Sequence, residues 1–126
     1  MKAILLVALG GALGSVARFK LSGLVLHLTP GWRFPLGTFT VNVLGCLVAG
    51  VLVGLAEKHD LLSPDARLLL FTGVLGGFTT FSAFGVETVH LLKRGDVALA
   101  AANIVGSVAI GLAALWLGTL AAGPRP

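Results

Sequence analysis

The feature that most constrains this chain is the spacing of its charges. Nine Lys or Arg and five Asp or Glu are spread over 126 residues, and they gather in clusters that leave four apolar runs, about 2–26, 36–56, 66–92 and 96–121. A bilayer core needs roughly 20 apolar residues to be crossed by a helix. Backbone N–H and C=O groups find no water there, so each run has to satisfy its own hydrogen bonds as a helix. The chain is therefore expected to be an all-α integral membrane protein, one four-helix domain over 1–126. A hydrophobic content of 56% and a mean hydropathy of +1.01 exclude a soluble domain of ordinary composition.

Several readings close quickly. The N-terminal stretch MKAILLVALGGALGSVARF has the Lys, apolar run and small-x-small ending of a cleavable signal. Further apolar residues after Arg18 and Lys20, and the GxxxG spacing of Gly10 and Gly14, favour a retained, packed span instead. Cys46 is alone and lies in the second span, where it reads as a small packing residue. His27, His59 and His90 lie near span ends without metal-ligand spacing. Glu57, Lys58 and Asp60 read as a solvated edge, followed by a helix start at Ser63-Pro64-Asp65 with Ser63 as its cap. No nucleophile–base pair or phosphate-binding Gly loop appears, which argues against an enzyme. The basic pI reflects few charges beside lipid headgroups, not nucleic-acid binding.

Orientation is not decided by charge. With four spans, Lys2, Lys58, Arg67 and Arg125 fall on one side and Arg18, Lys20, Arg33, Lys93 and Arg94 towards the other, an even balance under the positive-inside rule. Either something else orients the chain, or it inserts both ways and pairs with an inverted copy.

The polar groups inside the spans are mostly neutral. HLTPGWRFP ends the first span, with Pro30-Gly31 and Pro35 forbidding a continuous helix and Trp32 suited to an interface. In the second span Thr38, Asn42, Gly45 and Ala49 share one face. In the fourth, Asn103, Ser107, Gly111 and Ala114 do so. A helix-packing seam is the default for both stripes, and an intramembrane serine such as Ser107 ordinarily bonds its own backbone. The third span carries GGFTTFSAFG near its centre. Paired glycines followed by Thr79-Thr80 make a poor continuous helix, so a break near mid-membrane is expected, with its freed carbonyls facing protein, water or an ion. Around it stand the neutral donors Asn42, Thr79, Thr80, Ser82 and Ser107, and Phe81 and Phe84 on one helical face. Ring edges are electron-poor and can meet an anion, though ordinary core packing is the commoner use of phenylalanine. Several weak neutral donors can replace an anion's water and still release it, where a central Lys or Arg would trap it. Fluoride, small and a strong acceptor, suits such a lining better than chloride, although composition alone does not single it out. Glu87 is the one carboxylate inside a span rather than at its edge, and the only candidate for proton coupling.

GGALGSVARF at 10–19, LGTFTVNVLG at 36–45 and GGFTTFSAF at 76–84 resemble the Fluc (CrcB-like) fluoride channels, in register across three spans. The resemblance implies a dual-topology antiparallel homodimer in a prokaryotic plasma membrane, the cell inner membrane, that passively exports cytoplasmic fluoride through two antiparallel pores at the subunit interface. It assigns Asn42 to the pore lining, the ring edges of Phe81 and Phe84 to fluoride, Thr80 and Glu87 to a polar track, Arg18 to the aqueous vestibule, and Thr38 to the GT-x-x-x-N pattern. Ser82 and Ser107 join the fluoride pathway. It also implies a structural sodium ion on the two-fold axis, held by main-chain carbonyls of Gly76 and Thr79. Two positions depart from the pattern: Asn103 stands where many relatives have tyrosine, and Ala83 where a second hydroxyl is common. Two other classes keep sequence-level support: a proton-coupled exporter using Glu87, and a non-transporting scaffold in which the polar stripes are only seams.

Overall fold

The computed structural model describes residues 1–59 and 62–124, with the His59 side chain excluded. The charges assigned above to Asp60 and Arg125 lie outside the described residues. Every regular element is helical among the described residues: α1 (Lys2–Leu28), α2 (Leu36–His59), the short α3 (Pro64–Arg67), a π-helical stretch (Leu68–Leu75), α4 (Gly76–Phe78), α5 (Phe81–Lys93) and α6 (Val97–Ala122). Four segments are long and apolar enough to cross a membrane: Lys2–Leu28, Leu36–Lys58, Pro64–Lys93 and Val97–Ala122. The third is thus composite, running from α3 through the π stretch and α4 to α5.

Local chemistry accounts for the ends. Ser63 caps α3 by accepting the Ala66 N–H at 3.2 Å, with Pro64 at the first helical position. Leu36 follows Pro35, whose carbonyl accepts the Phe39 N–H at 3.0 Å, and the ring of Phe39 meets Phe34 edge-on at 5.4 Å. After α5 the chain reverses through Gly95, at φ +79°. The Asp96 N–H returns to Leu91 C=O at 2.9 Å and the Gly95 N–H to Leu92 C=O at 3.0 Å, the paired closure that calls for glycine at that position. Asp96 then pairs with Arg33 at 3.1 Å and Arg94 at 3.5 Å, joining the two connections at one end of the bundle. At the opposite end Lys2 pairs with Asp65.

The interior is narrow and lined by small residues, while large side chains point outward. Val41, Leu91, Ala100 and Leu75 make up the buried apolar set, whereas Ile4, Leu9, Leu13, Phe19, Val105, Leu112 and Trp116 are exposed. That inversion suits a bilayer, where lipid tails solvate leucine as well as a core would and helices gain from close backbone approach. α2 runs along α6, and α1 along the π stretch and α4. Added methyl groups show how tight these crossings are. A Cβ on Gly10 would stand 2.9 Å from Gly73 Cα, and one on Gly54 2.7 Å from Thr119 O. Cβ atoms on Gly14 and Gly50 would overlap the carbonyl oxygens of Val74 and Leu115. The Gly10/Gly14 spacing thus serves packing. The α2–α6 seam is built on Gly50, Gly54 and Gly118, a different face from the Thr38–Ala49 stripe.

Candidate functional site

The site forms where α4 ends at Phe78 and α5 starts at Phe81. Thr79 (φ −81°, ψ 157°) and Thr80 (φ −151°, ψ 117°) between them are extended. Two extended residues strand peptide groups that a continuous helix would pair, and the neighbouring side chains take them up. Asn42, on α2, donates from Nδ2 to Thr80 C=O at 3.0 Å and accepts the Thr80 N–H on Oδ1 at 2.8 Å. One side-chain amide thus replaces two backbone partners. Thr80 Oγ1 accepts the Ala83 N–H at 3.2 Å and so caps α5. The Thr79 hydroxyl returns to Leu75 C=O at 2.9 Å. Gly45 is required beside it, since a Cβ there would overlap the Thr79 methyl.

These replacements release particular carbonyls. In a continuous helix the Thr80 N–H would bond Gly76 C=O and the Ala83 N–H would bond Thr79 C=O. Both donors are diverted here, to Asn42 Oδ1 and Thr80 Oγ1. Gly76 and Thr79 are thus among the carbonyls at the interruption that lose their helical donors. No cluster of three His, Cys, Asp or Glu suited to a metal occurs among the described residues, so a cation here would have to rest on carbonyl oxygens.

Two grooves flank the interruption. The first, of about 290 Å³, is lined by Asn42, Cys46, Thr79, Thr80, Phe81, Phe84, Ser107 and Val108, with no formal charge among them. Phe81 is 83% exposed and its ring lies 5.4 Å from that of Phe84, tilted by 39°. The second, of about 440 Å³, is lined among others by Ser15, Arg18, Ser22, Thr38, Thr80 and Glu87. Thr38 Oγ1 donates to Glu87 Oε1 at 2.6 Å, while Glu87 Oε2 is buried without a hydrogen-bond partner. Thr80 belongs to both linings and forms the wall between them.

The sequence-predicted residues therefore divide. Asn42, Thr80, Phe81, Phe84 and Ser107 come together in one groove, and Thr38, Glu87 and Arg18 in the other, with Thr80 shared. Ser82 lines neither; it is exposed, 3.3 Å from Thr80 Oγ1. The stripe of Thr38, Asn42 and Gly45 turns towards α5 and the extended pair, so its polar members make specific bonds there rather than serving as a bare seam. Ser107 does not bond its own backbone. Its hydroxyl donates to Asn103 Oδ1 at 3.4 Å. Sequence reasoning missed three participants: the π stretch before the interruption, Cys46 in the first groove wall, and Thr88. Thr88 could have been found, because it lies four residues after Phe84, the spacing at which a threonine hydroxyl reaches a helical carbonyl. It makes that bond at 2.7 Å.

Four segments long and apolar enough to cross a membrane, with polar side chains gathered around one interrupted segment, define a multi-pass membrane protein. Residues 5–119 match the family described as CrcB-like protein, Camphor Resistance (CrcB). The chain is 64% identical over 118 residues, 94% of this chain and 92% of the relative, to a protein of Methylobacillus flagellatus named fluoride-specific ion channel FluC. Proteins of the same name from Nitratidesulfovibrio vulgaris and Opitutus terrae are 50% and 49% identical, covering 94% and 97% of this chain and 94% and 93% of those relatives. The chain belongs to the CrcB-like family.

Proposed function

We propose that this protein is a fluoride-selective channel that lets cytoplasmic fluoride leave passively across a prokaryotic plasma membrane. The observation that carries the reading is the uncharged groove: Asn42, Thr80 and Ser107 offer neutral polar groups beside the rings of Phe81 and Phe84, with no Lys or Arg to hold an anion too tightly. The names of the family's relatives point to the same ion. In the proposed mechanism fluoride enters from an aqueous vestibule served by Arg18. It exchanges water for hydrogen bonds from side-chain donors such as the second Nδ2–H of Asn42, beside Ser107, whose one proton goes to Asn103 Oδ1, and passes the ring edges of Phe81 and Phe84, which favour an anion and exclude bulk water. The track of Thr38, Thr80, Ser82 and Glu87 borders that path.

The working unit in this proposal is an antiparallel homodimer of two oppositely inserted copies, with two pores at their interface and the interrupted third span near mid-membrane. Support comes from the even distribution of Lys and Arg and from the exposure of Phe81, which a single copy leaves uncovered. The released carbonyls of Gly76 and Thr79 would hold the structural sodium ion, whose charge would offset converging carbonyl dipoles where two copies meet. Fluoride release from loaded proteoliposomes, with an ionophore carrying the counter-cation, tests the reading. Rapid fluoride release beside silent chloride-loaded vesicles is expected, with Phe81→Ile cutting release while leaving the folded protein intact. A well-folded protein that releases no fluoride would overturn it. One observation favours a second reading: the unpartnered Glu87 Oε2 is the kind of buried carboxylate a proton-coupled exporter uses.

A further inference from the structure

Asn103 lines neither groove, yet it is among the most deeply buried side chains, 1% exposed. A buried amide persists in a dry interior only when its polar atoms are satisfied, and those of Asn103 are satisfied by groups tied to the first groove. Ser107 Oγ donates to Asn103 Oδ1 at 3.4 Å, Asn103 Nδ2 donates to Thr88 Oγ1 at 2.9 Å, and Thr88 Oγ1 donates to Phe84 C=O at 2.7 Å. The three bonds run in one donor-to-acceptor direction, so each polarises the next. They start at Ser107 on α6 and end at the backbone of Phe84 on α5, two residues facing each other across that groove. From this geometry we infer that Asn103 is a positioning residue for anion passage. It fixes the Ser107 hydroxyl and the Phe84 segment relative to one another without touching the ion. The inference rests on the channel reading given above.

The physical need is specific to these elements. An isolated serine in a membrane helix turns its hydroxyl to the carbonyl one turn back. Asn103 Oδ1 intercepts that proton and holds the Ser107 oxygen off its own backbone. On the other wall, α5 packs mainly on α6 and starts from two extended residues, with Leu91 its one buried apolar side chain and Thr88 its buried polar one. The Asn103–Thr88 bond pins it one turn beyond Phe84. Without the amide, the hydroxyl falls back to the helix and α5 loses its interior polar tie to α6, so the two walls no longer hold one spacing.

The test uses full-length protein in fluoride-loaded liposomes, comparing wild type, Asn103→Leu, Ser107→Ala and the double variant, with folding monitored by size-exclusion profile and thermal unfolding. Asn103→Leu keeps the branched side-chain shape at a somewhat larger volume and removes both bonds, and a loss of about ten-fold in fluoride flux is expected. Because part of the effect runs through Ser107, that loss shrinks in the Ser107→Ala background, the remainder being the lost tie to Thr88. A role in stability alone lowers the unfolding temperature, leaves flux per folded protein unchanged, and gives additive effects. Either unchanged flux or additivity overturns the inference. Should Asn103→Leu fail to fold, Thr88→Val and Thr88→Ser decide: the valine variant should lose flux and the serine variant regain it, whereas equal flux from both overturns the proposal. Wild-type vesicles that release no fluoride overturn the channel reading itself, and this inference with it.

Discussion

The two halves of the third span are held in place by different forces. From Leu68 to Phe78 the chain lies against α1 through backbone-to-backbone contact, with Gly10 on Gly73, Gly14 on Val74 and Gly11 under Gly77. Beyond Thr80 the attachment is by side-chain hydrogen bonds: Asn42 to Thr80, Thr38 to Glu87, and Asn103 to Thr88. Close contact of this kind is nearly all-or-none, because a carbonyl cannot yield to an inserted methyl group. Hydrogen-bonded attachment is graded, each bond contributing about 1 kcal/mol net, and leaves its donors beside the grooves. The first half thus provides the fixed frame and the second provides the chemistry. Mutations in the two should separate folding from transport.

The largest effect belongs to the frame. In Gly14→Val the new Cβ overlaps Val74 O, with the Phe78 N–H only 2.8 Å away, and backbone on both sides leaves nothing flexible to move. The cost should reach or exceed the upper end of the roughly 1–3 kcal/mol typical of overpacking. Size-exclusion chromatography in detergent should find little folded protein, and a monodisperse Gly14→Val protein would break the comparison. Asn42→Ala comes next and should act on the other side of the divide. It removes both partners of the Thr80 peptide groups at about 1–3 kcal/mol for each one left unsatisfied. Fluoride flux should fall by about 100-fold while the frame, and with it the elution profile, survives.

The division also explains how much could be read in advance. Four spans follow from the charge spacing because hydrocarbon leaves a backbone few options, and the observed helices exceed the expected runs by only a few residues. The convergence of Asn42, Phe81, Phe84 and Ser107 was legible because each is a polar or aromatic oddity among Leu, Val and Ala. Their separation from Thr38, Glu87 and Arg18 into a second groove was not legible, since it depends on how Thr80 is turned by bonds that form only after α2 and α5 meet. The π stretch left no signal in LLLFTGVL, a sequence that an ordinary helix accepts equally well. The Gly50–Gly118 seam is hidden for a related reason: glycines abound here, and only the crossing decides which of them another backbone touches.

Smaller effects are expected around Glu87, where the comparison can be sharpened. Glu87→Gln keeps an acceptor for the Thr38 hydroxyl and removes the ionisable group. A channel should retain flux within about ten-fold of wild type, while a proton-coupled exporter should lose transport altogether, so pH-gradient-driven uptake measured beside passive release separates the two. Thr38→Val removes the 2.6 Å bond to Oε1 and leaves the carboxylate with neither oxygen paired. About two- to five-fold lower flux at unchanged folding is expected, and a loss of folding instead would place Thr38 with the frame.

The smallest effect is the most discriminating for the frame itself. Gly11 sits between Gly10 and Gly14 on α1, and a motif reading would group the three together. Their surroundings differ: a Cβ on Gly11 meets nothing within 4 Å, while one on Gly10 stands 2.9 Å from both Gly73 Cα and Val74 N. Gly11→Ala should therefore change thermal stability by less than about 1 kcal/mol and, if anything, raise it through the lower entropy of alanine in a helix. Gly10→Ala must separate α1 from the π stretch and should lower stability by more than that. If contact distance governs, the two alanines part company although they are adjacent in sequence. Equal destabilisation by both would mean that the first half of the third span is held by something other than backbone contact, and the contrast with the hydrogen-bonded second half would lose its physical basis.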